Sequence, residues 1–327
     1  MIGSNRLERW KSMWYPTRYH GHGRKKSFFE GWYFKMVSAD GSIAMSVIPG
    51  ISMDEHGKKH AFIQVIDGTK AISSYHEFDF EEFESKKDRF EVSIAGNTFN
   101  VDQLILDLPG LTGTVRMENH VPWPKSLGAP GIMGWYSFVP FMQCYHGVLS
   151  MHHKLSGSLE VSGTPHSFDN GIGYIEKDWG TSFPKSWIWC HSNHFEPAKK
   201  RISLLASVAH IPWMGSYFVG ILVGLRIEGT LYQFTTYNGS RHTGSIDESN
   251  VYLQFTKGDL TLTLKATKAK TAELISPISG GMRGKVNESI DATVALVLSK
   301  SGEVIYEGIG KHTGLEIAGD IDVLLKN

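Results

Sequence analysis

Cysteine is almost missing from this sequence: Cys144 and Cys190 are the two in 327 residues. Two thiols make no disulfide framework, which fits a reducing compartment. The length suits two domains of about 150 residues, each able to bury roughly two thirds of its unfolded surface without staples. A surplus of one charge is missing as well, with 33 basic against 33 acidic residues, so the basic excess of a nucleic-acid binder is excluded. Long apolar runs are also missing. The strongest, MGSYFVGILVGL from Met214 to Leu225, is about half of the ~20 residues that a spanning helix needs. The first fourteen residues, MIGSNRLERWKSMW, hold no continuous apolar stretch of the kind a secretory signal requires.

Motifs that announce a cofactor are likewise lacking. No Gly-rich phosphate loop, GxSxG elbow, HExxH or paired CxxC occurs, each of which has a spacing set by its chemistry. Histidines are plentiful, yet His20-x-His22, His152-His153 and His191-x-x-His194 lack strong zinc spacing, and His191 and His194 face opposite ways on a strand. The expectation is a soluble, cytoplasmic protein with no metal, cofactor, nucleic-acid partner or obligate protein partner. Its partner is a small apolar molecule, which can bring it transiently to a membrane surface.

What the sequence does have is strands. SIAMSVIPG, AFIQVID, RFEVSIAG, VYLQFTKG, LTLTLKAT and TVALVLSKSGEVIYEG are rich in β-branched and aromatic residues, and turn pairs such as Asp40-Gly41, Gly96-Asn97, Asn238-Gly239 and Ser301-Gly302 punctuate them. Helical periodicity is confined to Asn5–Trp14. A hairpin pattern recurs: Trp32 on a strand, a turn and a return to Ile48-Pro49, then Trp187 on a strand, a turn near Pro197-Ala198 and a return to Ile211-Pro212. Each is followed by another apolar run, which points to a duplicated β-domain with its boundary near residue 170, giving 15–170 and 171–327.

Side chains alternate faces along a strand. Glu30, Trp32, Phe34 and Met36 share one face, and Trp187, Trp189, His191 and Asn193 share another. The bulky face is expected to look inward in both, placing Glu30, His191 and Asn193 in apolar interiors where they need a partner, a water or a ligand. Core packing alone accounts for most of the aromatics, since each buries about 150–250 Å². In GYIEKDWG (Gly173–Gly180), Glu176 and Asp178 share a face about 6–7 Å apart with Lys177 opposite. Buried together, the two carboxyls cannot both ionise easily, and one kept neutral serves as a general acid. In a solvated turn they would instead pair with Lys177 or Lys185.

FFEGWYFK (Phe28–Lys35), GYIEKDWGTSFPKSWIW (Gly173–Trp189) and the following HSNHF, with TTYNG (Thr235–Gly239) and GLEIAG (Gly314–Gly319), closely resemble the tocopherol cyclase family from about residue 15 onward. The resemblance implies an all-β fold of two lipocalin-like (calycin-type) antiparallel β-barrel domains in tandem, related to carotenoid hydratases and lipocalin-like Diels–Alderases. It also implies an activity: acid-assisted closure of a chromanol ring in a prenylated hydroquinone, without a redox cofactor. An acid protonates the alkene, and the phenolic oxygen captures the tertiary cation. Aromatic faces stabilise such a cation by about 2 kcal/mol or more when desolvated, a use for Trp179, Trp187 and Trp189. The plant-type pattern has Asn where this chain has Asp178, and Gln where it has His191, so both departures add a titratable group. The expected catalytic residues are Glu176, Asp178 and His191, and the expected substrate-binding residues are Glu30, Trp32, Phe34, Trp179, Trp187, Trp189 and Asn193. The alternatives are a lipocalin-like carrier without chemistry and an alkene hydratase.

Overall fold

A computed structural model describes residues 14–197 and 201–325. The helix expected over Asn5–Trp14 lies, but for its last residue, outside them. The first antiparallel sheet holds β1 (Phe28–Val37), β2 (Ala44–Met53), β3 (Lys59–Asp67), β4 (Ile72–Phe78), β5 (Phe83–Ser85), β6 (Glu91–Ile94), β7 (Asn97–Asn100), β8 (Gln103–Leu108), β9 (Leu111–Glu118), β10 (Cys144–Val161), β11 (Thr164–Ser167) and β12 (Ile172–Gly180). The second holds β13 (Trp187–Ser192), β14 (His194–Glu196), β15 (Ile202–Trp213), β16 (Ser216–Ile227), β17 (Thr230–Thr235), β18 (Arg241–Ile246), β19 (Asn250–Lys257), β20 (Leu260–Thr267), β21 (Ala272–Ile278), β22 (Gly281–Lys300) and β23 (Glu303–Ala318). One short helix, α1 (Asp322–Leu325), follows.

The turn signals work as chemistry requires. Ser301 and Gly302, which join β22 to β23, both have positive φ, the backbone that suits the right-handed twist of a tight hairpin. The duplicated pattern is visible in the strand order, which runs β4-β3-β2-β1-β12-β10 in one sheet and β17-β16-β15-β13-β23-β22 in the other. In each, a four-strand meander is closed on its first strand by a late-arriving one. The ladders themselves stay open, ending at β4 and β5 in the first sheet and at β17 and β18 in the second.

Each sheet nevertheless curls over its own inner face. Phe34 on β1 meets Phe99 on β7 with ring centroids 6.0 Å apart, and Trp32 stacks on Phe90 at 5.4 Å. In the second sheet Phe234 on β17 approaches Phe255 on β19 at 6.4 Å. The enclosed cores contain Trp32, Phe34, Met36, Ile175 and Trp179 in the first sheet, and Ile188, Cys190, Leu204, Val294 and Leu315 in the second.

The compact units do not divide at residue 170. One unit runs to Asp67 and includes Ser73–Phe183 and Leu274–Lys285; the other takes Gly68–Ile72, Pro184–Glu273 and the chain from Val286. β12, expected to open the second domain, is a central strand of the first, hydrogen-bonded between β1 and β10. Its role as the closing strand depends on partners over a hundred residues upstream, which local pattern cannot show. Among the described residues no helix is long and apolar enough to cross a membrane.

β12 ends at Gly180, whose φ of 153° carries the chain so close to its neighbour that an added Cβ would lie 2.3 Å from the Gln143 carbonyl oxygen. Gly180→Ala is therefore expected to cost about 1–3 kcal/mol, read as a lower urea midpoint at unchanged slope. An unmoved midpoint would show that this strand end is not constrained.

Candidate active site

β12 carries GYIEKDWG through the middle of the first sheet, so both its edges are hydrogen-bonded, and its side chains are buried on both faces apart from the half-buried Ile172 and Asp178. Register fixes what each side chain meets. Lys177 lies between Trp32 of β1 and Gly147 of β10, Glu176 between Tyr33 and Val148, and Asp178 between Gly31 and His146.

On the inner face the Lys177 ammonium is fully buried and lies 2.5 Å from Glu30 Oε1. It also donates to the Arg18 carbonyl and to His20 Nδ1, the latter at 2.9 Å. The same Nδ1 also lies 3.3 Å from Glu30 Oε1. The His20 backbone N–H donates to Glu30 Oε2 at 2.8 Å. The cation sits 5.0 Å from the Trp32 ring and 4.8 Å from Trp179. His20 lies parallel to Trp179 with centroids 4.3 Å apart, and Tyr145 stacks on the same indole at 5.5 Å. Burial lowers the Lys177 pKa to about 8 although Glu30 pulls it upward. Burial alone would raise Glu30, but Lys177 and the His20 contacts hold it below the usual carboxylate range.

The outer face holds a different cluster. Asp178 Oδ1 is 2.9 Å from His146 Nδ1, and the other nitrogen of that ring, Nε2, is 3.5 Å from Glu176 Oε2. The Tyr174 hydroxyl donates to Glu176 Oε2 at 2.5 Å. The Cys144 thiol points at Asp178 Oδ1 from 3.8 Å. Burial, then the Glu176 charge, pushes the Tyr174 pKa far up, and burial with Asp178 does the same to Cys144. Both keep their protons and act as donors. Glu176 is buried, while Asp178 is partly exposed. The result is a row, Asp178–His146–Glu176–Tyr174, in which an imidazole is hydrogen-bonded to Asp178 and has its other nitrogen 3.5 Å from Glu176, a placement from which a proton can pass once that gap closes to hydrogen-bond length. The same three acid and imidazole groups offer ligand atoms within 4.8 Å of one another, so they could also hold a small divalent cation.

The expected residues therefore separate. Glu176 and Asp178 come together as the alternation required. Trp32, Phe34 and Trp179 belong to the first core, and Glu30 is paired with Lys177. His191 is on β13 in the second unit, where it is fully buried with its ring 6.2 Å from Trp189. Trp187 donates its indole N–H to Glu316 Oε2 at 2.6 Å, and Asn193 is buried just beyond β13. The inward direction expected for this second set is corrected. Ile188 and Cys190, not Trp187, Trp189 and His191, belong to the second core. Parity alone decides this, since a one-residue shift exchanges the faces of a strand. Sequence reading missed Lys177 as an inner-face residue, although its opposition to Glu176 was the available signal. It missed His146, Tyr174 and Cys144 because their partners are set by long-range register.

The tocopherol cyclase-like family profile matches residues 114–319. The chain belongs to the tocopherol cyclase-like family. The match takes in both faces of β12 and leaves the EGWYFK strand outside it. The chloroplastic tocopherol cyclase of Zea mays is 27% identical over 199 residues, which are 57% of this chain and 41% of that protein. The chain thus spans about two fifths of the length of the maize relative. Among solved structures, CghA superposes with a TM-score of 0.59 at 12% identity, over 90% of this chain and 89% of that one. CghA with Sch210972 gives 0.57 at 13% identity, over 89% of each chain. These two share the lipocalin-like two-sheet fold.

Two outcomes test the inner pair. Glu30→Gln and Lys177→Met are each expected to cost about 3–5 kcal/mol in urea unfolding, because each strands a buried charge, while the double variant costs less than either. Additive losses would show that the two groups are not coupled. Native Lys177 releases its proton near pH 8, and an ordinary lysine near 10.5. The unfolded chain therefore binds more protons in that window, so stability rises with pH across it. Lys177→Met should abolish that slope.

Proposed function

We propose that the outer-face row on β12 is the acid–base centre of a cyclase-like enzyme acting on a prenylated hydroquinone or a similar apolar alkene. Family membership supports the reaction class. The observation that carries the site is the burial of Glu176 between a proton-holding Tyr174 at 2.5 Å and a His146 whose far nitrogen is held by Asp178.

The chemistry balances without an outside reagent. Protonated Glu176 gives its proton to the less substituted alkene carbon, and the π pair becomes the new C–H bond. The tertiary cation left behind is captured by the phenolic oxygen, which forms the C–O bond of the ring. The phenolic proton is taken up by the row, with His146 accepting and Asp178 stabilising the imidazolium, and returns along it to Glu176. Product and substrate are isomers, so the row ends each cycle as it began. Tyr174, kept protonated by its surroundings, steadies the Glu176 carboxylate after transfer. Asp178, an amide in the plant-type pattern, has a use here because it holds Nδ1–H of His146 and frees Nε2 for proton traffic.

The cation-stabilising use expected of Trp179 meets a competing occupant. Lys177 approaches this indole, and His20 and Tyr145 stack on it. On this reading its task is to hold the inner face of β12, which aims the outer face.

Glu176→Gln is expected to lower kcat for chromanol formation by about 10²–10⁴-fold, the usual contribution of a positioned general acid, with KM nearly unchanged. Turnover should survive chelation of divalent cations. Equal binding of a prenylated hydroquinone by wild type and Glu176→Gln, with no chromanol formed by the wild type, would leave a carrier. Formation of a tertiary alcohol in place of the ring would identify a hydratase.

A further inference from the structure

The proton row on β10 and β12 is joined to a surface that the reaction does not use. From Asn119 to Leu159 the sequence contains no aspartate or glutamate, and from Trp14 to Phe29 it contains none either. Both segments belong to the first unit. They pack together: Trp14 meets Phe138 with centroids 5.0 Å apart, and the Arg18 guanidinium and Lys125 ammonium lie 4.0 and 6.0 Å from the one Tyr15 ring.

The surface has two components. One is cationic. Arg24, Lys25, Lys26 and Lys125 are exposed, and Arg18 and Lys125 gather at the same tyrosine. Like charges held this close favour an anionic neighbour. Burial and the adjacent Arg18 lower the Lys125 pKa, in line with that crowding. The other component is apolar. Ser126 and Ala129 exchange backbone hydrogen bonds at 2.9 and 3.1 Å, closing a tight turn that presents Leu127 at its tip, 88% exposed. Phe141 is 61% exposed and Trp135 47%. A leucine at a turn tip, an exposed phenylalanine and interfacial Trp and Tyr, set among lysines and arginines, match the outer layer of an anionic bilayer: hydrocarbon for the tips and headgroup charge for the cations. A polyanion without hydrocarbon would leave Leu127 and Phe141 in water.

The apolar segment is also tied to the row. The His146 backbone N–H donates to Met133 Sδ at 3.1 Å, and the Tyr145 hydroxyl to the Val139 carbonyl at 2.5 Å. Residues 121–143 thus lead straight into the strand that carries His146.

We propose that residues 121–143, together with the basic segment 18–26, form a docking face for anionic lipid bilayers. The occupant is the lipid surface itself, and the inference stands whether or not the row performs the proposed chemistry.

Sedimentation of the full chain with phosphatidylcholine vesicles, and with vesicles also containing phosphatidylglycerol, tests it without any substrate. Binding is expected to the anionic vesicles, weakening as salt rises. Lys25→Gln/Lys26→Gln/Lys125→Gln should lower the affinity by about a hundredfold, at about fivefold for each charge removed. Leu127→Ser/Phe141→Ser should lower it by about tenfold or more. Both variants alter exposed side chains, and unchanged urea midpoints would confirm that they fold. Failure to sediment with anionic vesicles would overturn the proposal, as would variants that bind them as tightly as the wild type does. Tighter binding to single-stranded nucleic acid than to vesicles, insensitive to Leu127 and Phe141, would assign the face to a different polyanion and overturn it as well.

Discussion

An ammonium that cannot reach water must find its acceptors inside the protein, and Lys177 finds them in Glu30, the Arg18 carbonyl and His20 Nδ1. Each lies on a different stretch of chain from β12, so the pair ties β12 to β1 and to the segment before β1. Any slip of β12 by one residue would turn the lysine outward and leave Glu30 buried without its cation. Such an arrangement adds little net stability over an apolar core, but it penalises wrong registers heavily. The two indoles add to the same selection, since a desolvated cation gains from Trp32 and Trp179 only when it lies over both.

The outer row follows from that register. With a side-chain period of two, fixing Lys177 inward places Tyr174, Glu176 and Asp178 outward together. His146 then enters from β10 as the direct cross-strand neighbour of Asp178. The inner and outer faces use charge in opposite ways. Inside, an ion pair is walled by aromatic rings, and burial brings its lysine pKa down to about 8. Outside, an imidazole stands between two carboxylates, one buried and one partly exposed.

Much of this was legible in the sequence, and the limits have a common cause. Strand alternation correctly put Glu176 with Asp178 and Lys177 against them, and it put Glu30 on the face of Trp32. Asp40-Gly41, Gly96-Asn97 and Ser301-Gly302 correctly marked hairpins, whereas Asn238-Gly239 joins β17 to β18, the two ends of the second sheet, which do not pair. What alternation cannot supply is which face of a strand looks inward when both are apolar or both end up buried. On β1 the bulkier face is the inner one, whereas on β13 the inner face is Ile188 and Cys190 and the bulkier Trp187 and Trp189 lie on the other. Residue size was the wrong guide, because the curl of the sheet and not the volume of the side chain sets the inside. The partners of a strand are equally hidden. Lys177 meets Glu30 across about 150 residues of chain, and nothing near either one announces the other. The same ignorance of partners moved β12 into the wrong half of the chain.

The duplicated strand order suggests why carboxylates collect where they do. β12 in the first sheet and β23 in the second hold the same position, each hydrogen-bonded to the first strand of its meander. β12 carries Glu176 and Asp178 on the face away from its core. β23 carries Glu316 opposite Glu288 of β22 and Trp189 of β13, while its neighbour Leu315 belongs to the core. The curled face of such a sheet is filled with hydrocarbon and tolerates a carboxylate only beside a buried cation, as Glu30 is beside Lys177. On the opposite face the carboxylates are met by other polar groups, as Glu176 is by the Tyr174 hydroxyl and Glu316 by the Trp187 indole N–H. In the first sheet that position also has a histidine across the ladder. Glu176 thereby has an imidazole nitrogen 3.5 Å from its Oε2.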